Sequence, residues 1–494
     1  TEAMRSSSAM GMTSDGYCSY PDEAMPRVDI VEYPPEVYDG TEESCRGTVG
    51  IVFLGRAGSE GSNGEIYPKP LCDGTPHAAA LSVYEKEAIA RAKAYCRAVV
   101  VVLNCCNPID LSELMCEGGE YEANAILLIG GTGSTGFLAL ADILTGAVSP
   151  SGRLADIYVT DSAKSPSYVN FGGDAQYTNV TKDPASQIYS TYLEYEEGIY
   201  SGYRYYETAC IEDEDFVYGE LTPEGAILLA GEVAYPFGYG LSYTEFEQRI
   251  VRFDAEGDVV TVEVEVKNTG GVAGAEAVQI YCSAPYTAFD AEKGIEKSAV
   301  VLAGFAKTDV LAPGEDACVR ISFAKEDMAS YFESHPNADG STGCYMLEEG
   351  EYEVSLRKNS HDVIETRTYS VGETIYYEGQ NVRESDRAAQ LFARAGAEGS
   401  SEVTPVNNKF GYMTEYMREN TVCLSRSDWK VTQPTAAEDK PAPESVLAML
   451  ENNRTFDPAT DAALGDAEGS LVYAEEAPRS CAEEGLTFSD LRGE

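Results

Sequence analysis

The chain has 494 residues, with 83 acidic side chains against 35 basic ones and a formal net charge of −48. Such a charge repels nucleic acid and anionic membranes, so we expect neither of them as a partner. A hydrophobic fraction of 43% allows sizeable buried cores and excludes global disorder.

The cysteines and histidines argue against a metal site. No Cys-x-x-Cys pair occurs among the 13 cysteines, and His77, His335 and His361 lie far apart in the sequence. We therefore expect reduced thiols in a cytoplasmic protein, with no metal and no other cofactor. No stretch reaches the ~18 apolar residues that span a bilayer, and no signal peptide is visible.

Apolar runs and helical patterns alternate in the first half of the chain. Residues 1–45 are predicted as an irregular segment, the incomplete start of the domain that follows. After it come an apolar run ending at Gly55, a helical pattern at 83–97, the β-branched run AVVVVLN, the run EANAILLIGG and a second helical pattern that stops at Gly146. This alternation is typical of a mostly parallel sheet with helices on both faces. We assign residues 46–250 to an α/β sandwich domain.

The pattern changes twice in the second half. Residues 161–250 are rich in Tyr, Gly and Asn and are predicted as long ordered loops. Residues 251–375 alternate apolar and polar positions between turn signals, which predicts an antiparallel, immunoglobulin-type β-sandwich. Residues 376–494 are weakly patterned and are predicted as a connector. No repeat of eight βα units occurs, so the sequence predicts no complete β/α barrel.

The segment GGTGSTG (130–136) resembles a dinucleotide-binding turn. Its glycines are spaced Gly-x-Gly-x-x-Gly, and Asp156 follows at about the distance expected of a ribose-binding acid. However, the segment follows the third apolar run rather than the first, and Asp156 lies in a predicted loop. We favour glycines that let a helix pack closely on a strand, and keep nucleotide binding as an alternative.

Two further segments have both a functional and a structural interpretation. Asp428 stands beside the only tryptophan, as a glycosidase nucleophile could, but a structural turn fits its surroundings better. The tyrosines of 189–206 suit sugar stacking, and they suit a half-buried interface better.

A lone glutamate follows the first apolar run. In IVFLGRAGSEGSNG (51–64), Glu60 lies on a glycine-rich segment just past a predicted buried strand. The carboxyl ends of parallel strands are where α/β folds place their sites, and glycines allow a loop to close over a ligand. Glu60 is therefore a candidate general acid, with an ordinary surface glutamate as the alternative.

Several segments together resemble glycoside hydrolase family 3. The segment AILLIGGTGSTGFLALADILTGAVSPSGRLADIY, followed by YEEGIYSGYRYYET and YPFGYGLSYTEF, resembles the family's sandwich domain. The segments VEVKNTGGVAGAEAVQIYCSAP, LAGFAKT and LAPGE resemble the fibronectin-III-like domain that follows it. The connector CLSRSDWKVTQPTA is similar to that of the subgroup with reversed domain order, in which a β/α barrel comes afterwards.

The resemblance implies a retaining, exo-acting β-glycosidase, most often a β-glucosidase. In that family an Asp on the barrel is the nucleophile, and a Glu in an Arg-x-x-Gly-Glu-Gly-x-Asp-Arg loop is the general acid/base. Residues 56–64 align with this loop and place Glu60 on the acid/base, with Glu65 as the fallback. Arg56, Ser59 and Asn63 become candidate substrate-binding residues.

In this chain the loop departs from the family pattern at three positions. Ser59 stands where the family has Gly, Asn63 where it has Asp, and Gly64 where it has Arg. The anchoring of the loop therefore differs from the family, whereas the position of Glu60 is retained.

The implied partners are a β-glucoside or oligosaccharide substrate and a barrel domain or chain that carries the nucleophile. No nucleophile is expected within these residues, so the chain alone is predicted to be inactive. A homo-oligomer is compatible with the sequence. The alternative from another functional class is a non-catalytic carbohydrate-binding or scaffolding module.

Overall fold

The structure is a computed structural model that describes residues 39–55, 74–77, 79–106, 108–133, 135–169, 175–181, 190–221, 227–229, 231–338, 342–379, 381–383, 386, 421–444 and 446–447. These residues form two compact units. The first unit draws on 1–174, 193–383 and 421–437, and the second on 175–192, 384–420 and 438–494. No helix in the described ranges has the length and apolar character needed to cross a bilayer.

The first unit begins with a three-stranded parallel sheet in the order β1-β2-β3. Its elements are α1 (Glu42–Cys45), β1 (Val49–Gly55), α2 (Val83–Tyr95), β2 (Ala98–Asn104), α3 (Ser112–Met115), β3 (Ala125–Leu128) and α4 (Gly136–Thr145). β1 and β2 pair in register along their whole length, and β2 pairs with β3. The mostly parallel sheet predicted from the apolar runs is confirmed.

Helices lie on both faces of this sheet. A Cβ added to Gly50 would be 3.2 Å from the Cβ of Ala92 in α2, which shows how closely that helix packs on β1. Successive strand residues point to opposite faces, so Phe53 lies on the other side, with its ring centroid 6.0 Å from that of Phe137 in α4. The core on the α2 side contains Leu54, Leu81, Ile89, Val99, Val101, Leu103, Cys105, Ile109, Leu111, Leu114, Met115 and Ala234.

Short elements connect this sheet to the next domain. They are β4 (Tyr158–Val159), α5 (Tyr203–Glu212), β5 (Glu220–Leu221), β6 (Ile227–Leu229) and β7 (Val233–Tyr235). The prediction of loops throughout 161–250 is wrong at α5. The buried residues of this helix are four in succession, Tyr206–Ala209, rather than an apolar stripe with helical period, so the usual sequence signal is missing.

An all-antiparallel β-sandwich follows. Its elements are β8 (Phe246–Asp254), β9 (Val259–Asn268), β10 (Ala277–Ser283), α6 (Ala288–Lys293), β11 (Val301–Lys307), β12 (Asp316–Ala324), β13 (Ser330–Pro336), β14 (Thr342–Leu347), β15 (Gly350–Arg357), β16 (Val363–Val371) and β17 (Ile375–Tyr377). One sheet has the order β12-β9-β8 and another the order β11-β10-β15-β16, with β13-β14-β17 beside them.

The core of the sandwich comes from the alternating residues of these strands. In β9 the buried positions include Val260, Val262, Val264 and Val266, as the period of two predicts. The β-sandwich predicted from the sequence is confirmed.

The second unit is small in its described part. Tyr177 forms a parallel bridge with Lys440 and stacks on Tyr192, with 4.5 Å between ring centroids. A small apolar cluster joins Tyr177 to Ala442 and Val446.

Candidate functional site

The predicted site residues belong to the connection between β1 and α2. Glu60, Arg56, Ser59, Asn63 and the fallback Glu65 all lie outside the described residues. The structure describes the residues at the two ends of this connection.

Both ends of the connection are anchored in the α/β domain. At the start, Leu54 is buried and Gly55 is aligned with Asn104 at the carboxyl end of the parallel pair. At the other end, Ser82 is the N-cap of α2, and its side chain accepts a hydrogen bond from the backbone N–H of Glu85. The carboxylate of Glu85 in turn accepts from the backbone N–H of Ser82 at 2.8 Å. The residues on either side of the connection therefore belong to β1 and α2 of the same domain.

Gly55 ends β1 at the carboxyl end of the parallel pair, which is where α/β proteins build their sites. Glu60 follows Gly55 by five residues in the sequence.

The same edge of the sheet carries two cysteines and the glycine-rich segment. Cys105 is buried and Cys106 is exposed directly after β2. A Cβ added to Gly131 would lie 3.8 Å from the Sγ of Cys106, so the turn after β3 passes close to the end of β2.

The glycine-rich segment is shaped by its backbone. Gly130 and Gly133 have φ angles of 58° and 62°, which side chains rarely adopt. A Cβ on Gly136 would come within 2.7 Å of the Cβ of Thr132, so the first residue of α4 also requires a glycine. Backbone geometry accounts for Gly130 and Gly133, and local packing accounts for Gly136.

A polar cluster that the sequence analysis missed lies on loops at this edge of the sheet. His77 is at the end of the β1–α2 connection, Asp110 follows β2, and Asp161 follows β4. One ligand atom from each lies within 4.8 Å of the others. No spacing rule links these three positions, because the fold alone brings them together.

Burial and hydrogen bonding act in opposite directions on Asp110. Burial raises the pKa of its carboxyl group above the ordinary value, and the hydrogen bonds from Ser162 together with the charge of His77 lower it. The net shift is upward. Burial therefore makes the ionised form of Asp110 less favourable, and a positively charged neighbour would stabilise it.

Two tyrosines of the segment 189–206, Tyr200 and Tyr205, are packed against other parts of the first unit. Tyr200 is fully buried, and its ring lies edge-on to Trp429 at 5.1 Å between centroids. Tyr205 stacks on the same indole at 5.2 Å. Their hydroxyls donate to Glu296 and to Gln433. This packing favours the interface interpretation of Tyr200 and Tyr205.

Asp428 lies in a short 3-10 helix, Arg426–Asp428. Its backbone carbonyl accepts from Val431 and Thr432, and the following Trp429 is buried. This geometry is the structural turn that the sequence analysis favoured.

Two family models match the chain. The glycosyl hydrolase family 3 C-terminal domain matches residues 43–203, which include the parallel sheet and the predicted acid/base loop. The fibronectin type III-like domain matches residues 276–360 within the β-sandwich.

Curated relatives are named as β-glucosidases. β-Glucosidase A of Butyrivibrio fibrisolvens is 31% identical over 310 residues, which cover 60% of this chain and 32% of the relative. A β-glucosidase of Ruminococcus albus is 30% identical over 371 residues, which cover 72% of this chain and 32% of the relative. The chain thus spans about a third of the length of these relatives.

Solved structures agree with the fold. A β-glucosidase from Paenibacillus barengoltzii matches with a TM-score of 0.53 and 28% identity, covering 72% of this chain and 33% of that one. β-Glucosidase 3B from Thermotoga neapolitana, solved with α-D-glucose, matches with a TM-score of 0.52 and 28% identity over 72% of this chain and 43% of that one. Residues 43–203 therefore belong to the glycosyl hydrolase family 3 C-terminal domain and residues 276–360 to a fibronectin type III-like domain, in a chain that is similar to β-glucosidases over about a third of their length.

Proposed function

We propose that this chain supplies the general acid/base of a retaining β-glucosidase, and that Glu60 is that residue. The observation that carries the proposal is the place of Glu60 in the chain, five residues beyond Gly55 at the carboxyl end of β1. Support comes also from the alignment of residues 56–64 with the family's acid/base loop.

In the proposed reaction, a carboxylate on a β/α-barrel domain attacks the anomeric carbon. Glu60 first donates its proton to the leaving glycosidic oxygen, and then removes a proton from the water that hydrolyses the glycosyl-enzyme intermediate. Retention requires the two carboxyl groups to be about 5–5.5 Å apart. The loop of Glu60 must therefore reach out of its own sheet to a site that another domain builds.

The neighbours of Glu60 have proposed roles as well. Arg56, Ser59 and Asn63 carry donors suited to sugar hydroxyls or to the backbone of the loop itself. Asn63 replaces a carboxylate of the family pattern and Gly64 replaces an arginine, so an ion pair between these two positions cannot form here. We expect a loop whose position depends more on the bound substrate than in relatives that keep both charges.

Residues 1–494 alone are proposed to be inactive, because one carboxylate cannot perform a double displacement. The proposed partner is a barrel domain or chain that carries the nucleophile, and the proposed substrate has a terminal β-linked glucose. A carbohydrate-binding module would instead bind sugars whether or not the barrel is present.

The test compares two substrates in the protein that contains this chain together with its barrel. We predict that Glu60→Gln lowers kcat/KM on cellobiose by about 10²–10⁴-fold, because its leaving group needs a proton. On 2,4-dinitrophenyl β-D-glucoside the first step is affected less, since that leaving group departs unprotonated.

Glu65→Gln is the matched control and keeps wild-type ratios between the two substrates. Equal losses on both substrates in Glu60→Gln, or unchanged activity on cellobiose, would contradict the assignment. Selective loss in Glu65→Gln would move the role to the fallback residue.

A further inference from the structure

We propose that His77, Asp110 and Asp161 form a binding site for a divalent first-row metal cation. The three side chains come from three separate connections, after β1, β2 and β4 respectively. Such a cation would fix the end of the β1–α2 connection to its two neighbours. This structural role does not depend on the role proposed for Glu60.

The spacing of the donor atoms fits a metal with short bonds. The Nε2 of His77 and the Oδ2 of Asp110 are 3.4 Å apart. Two ligands at about 2.0–2.1 Å from a tetrahedral centre are separated by about 3.3 Å. The third donor, a carboxylate oxygen of Asp161, lies within 4.8 Å of the other two. A modest side-chain adjustment completes three-fold coordination.

Hydrogen bonds hold both carboxylates in place from behind. The Oδ1 of Asp110 accepts from the backbone N–H of Ser162 at 3.1 Å and from its hydroxyl, which leaves Oδ2 directed at His77. Asp161 accepts from the backbone N–H of Ala163 at 3.0 Å. Supporting bonds of this kind orient the ligands of metal sites in proteins.

A buried tyrosine provides the second observation. Tyr168 is only 7% exposed, and its hydroxyl has no hydrogen-bond partner among the residues that the structure describes. Its ring lies edge-on to His77, with 6.2 Å between centroids. A buried tyrosine whose hydroxyl lacks a described partner thus packs against His77, and a cation with a bound water would offer that hydroxyl a partner.

The donor set selects the class of cation. One imidazole and two carboxylates suit Mn²⁺ and Zn²⁺ better than Ca²⁺, which takes six to eight oxygen ligands. The side chains of His77 and Asp110 are only 14% and 12% exposed, so the negative charge of Asp110 is screened little by solvent. The two acidic groups would balance the charge of a divalent ion.

Mn²⁺ is the best probe for the test, because it takes carboxylate and imidazole ligands and has little preference for the many thiols of this chain. Binding to the intact chain is followed by electron paramagnetic resonance in about 0.15 M NaCl, which screens weak binding to the acidic surface. We expect one saturable Mn²⁺ per chain and a higher melting temperature in its presence.

Two variants and a control complete the design. His77→Gln and Asp161→Asn should each weaken Mn²⁺ binding at least tenfold; asparagine still caps the 3-10 helix at 162–164, so Asp161→Asn changes mainly the charge. His335→Gln removes a histidine that lies 3.7 Å from a single carboxylate, and should bind like the wild type. Circular dichroism checks that each variant folds. Wild-type binding that does not saturate at one ion, or unchanged binding in either folded site variant, would overturn the proposal.

Discussion

Buried charge is paired within the antiparallel β-sandwich, and Lys297 is the clearest case. Its side chain is 1% exposed, and its ammonium group lies 2.8 Å from Asp290, forms a second ion pair with Glu348 and donates to the carbonyl of Pro285. Removing one member of such a group leaves the other charges buried and unpaired in a medium of low dielectric constant.

We predict that Lys297→Met lowers the free energy of unfolding by about 3–5 kcal/mol, because two carboxylates lose their partner. Urea denaturation measures the loss. Lys293→Met is the matched control: that lysine is exposed and pairs with the exposed Glu292, so we expect a change within about 0.5 kcal/mol. Similar midpoints for the two variants would contradict this account of Lys297.

The sequence offers single site residues only where a linear motif carries them. The role of Glu60 rests on its neighbours in the chain and stays a prediction. The grouping of His77 with Asp110 and Asp161 has no such motif, because the three belong to different connections and meet only when β1, β2 and β4 are in place. The burial of Lys297 is also unpredictable, since its partner Glu348 follows it by 51 residues in the sequence, after strands β11 to β14.

Elements were predicted best where the periodicity was strong. The run AVVVVLN is β2 from its first residue to its last. The helix predicted at 83–97 ends at Tyr95, because Cys96 already has an extended backbone with ψ of 163°. No glycine or proline marks that end, so the sequence holds no stop signal there. The helix α5 was not predicted because its buried residues, which include the charged Glu207, do not form the apolar stripe on which a helix prediction depends.

Glu207 links α5 to the turn between β15 and β16. It accepts hydrogen bonds from Tyr218 and Ser360, both at 2.9 Å, and lies 3.1 Å from the Nδ1 of His361. Burial lowers the pKa of His361, and the hydrogen bond and charge of Glu207 more than offset this, so the net shift is upward. The imidazolium form of His361 therefore stabilises the junction.

The raised pKa of His361 determines how its contribution to stability changes with pH. The stabilisation from His361 is complete below its unfolded pKa of about 6.5, and is lost as pH rises through the raised folded value. We predict that the melting temperature of the wild type falls more than that of His361→Gln when pH increases from 6 to 8.5.

We predict the opposite pH dependence of the His361 contribution in Glu207→Gln. Without the carboxylate, burial and the charge of Arg357 lower the pKa of His361 and outweigh the smaller effect of Asp362, which raises it. The contribution of this histidine to stability then increases with pH. A wild-type and a Glu207→Gln protein with the same pH dependence of the melting temperature would exclude the proposed coupling.

At the scale of the whole molecule, the order of segments was the decisive signal. The sandwich and fibronectin-III-like signatures occur in the order of family 3, and the two matching family models follow that order. The geometry of the active site was not predictable from these residues, because the proposed nucleophile belongs to a barrel and the chain spans about a third of its curated relatives.

The central claim is that Glu60 acts first as the acid and then as the base, and product analysis of Glu60→Gln in sodium azide tests it most directly. Azide is anionic and needs no base, so it can attack the anomeric carbon of the glycosyl-enzyme intermediate and release the barrel carboxylate. With 2,4-dinitrophenyl β-D-glucoside as the substrate, we predict that azide restores turnover and that β-D-glucosyl azide accumulates. Turnover of this variant that does not respond to azide, with glucose as the product, would contradict the claim.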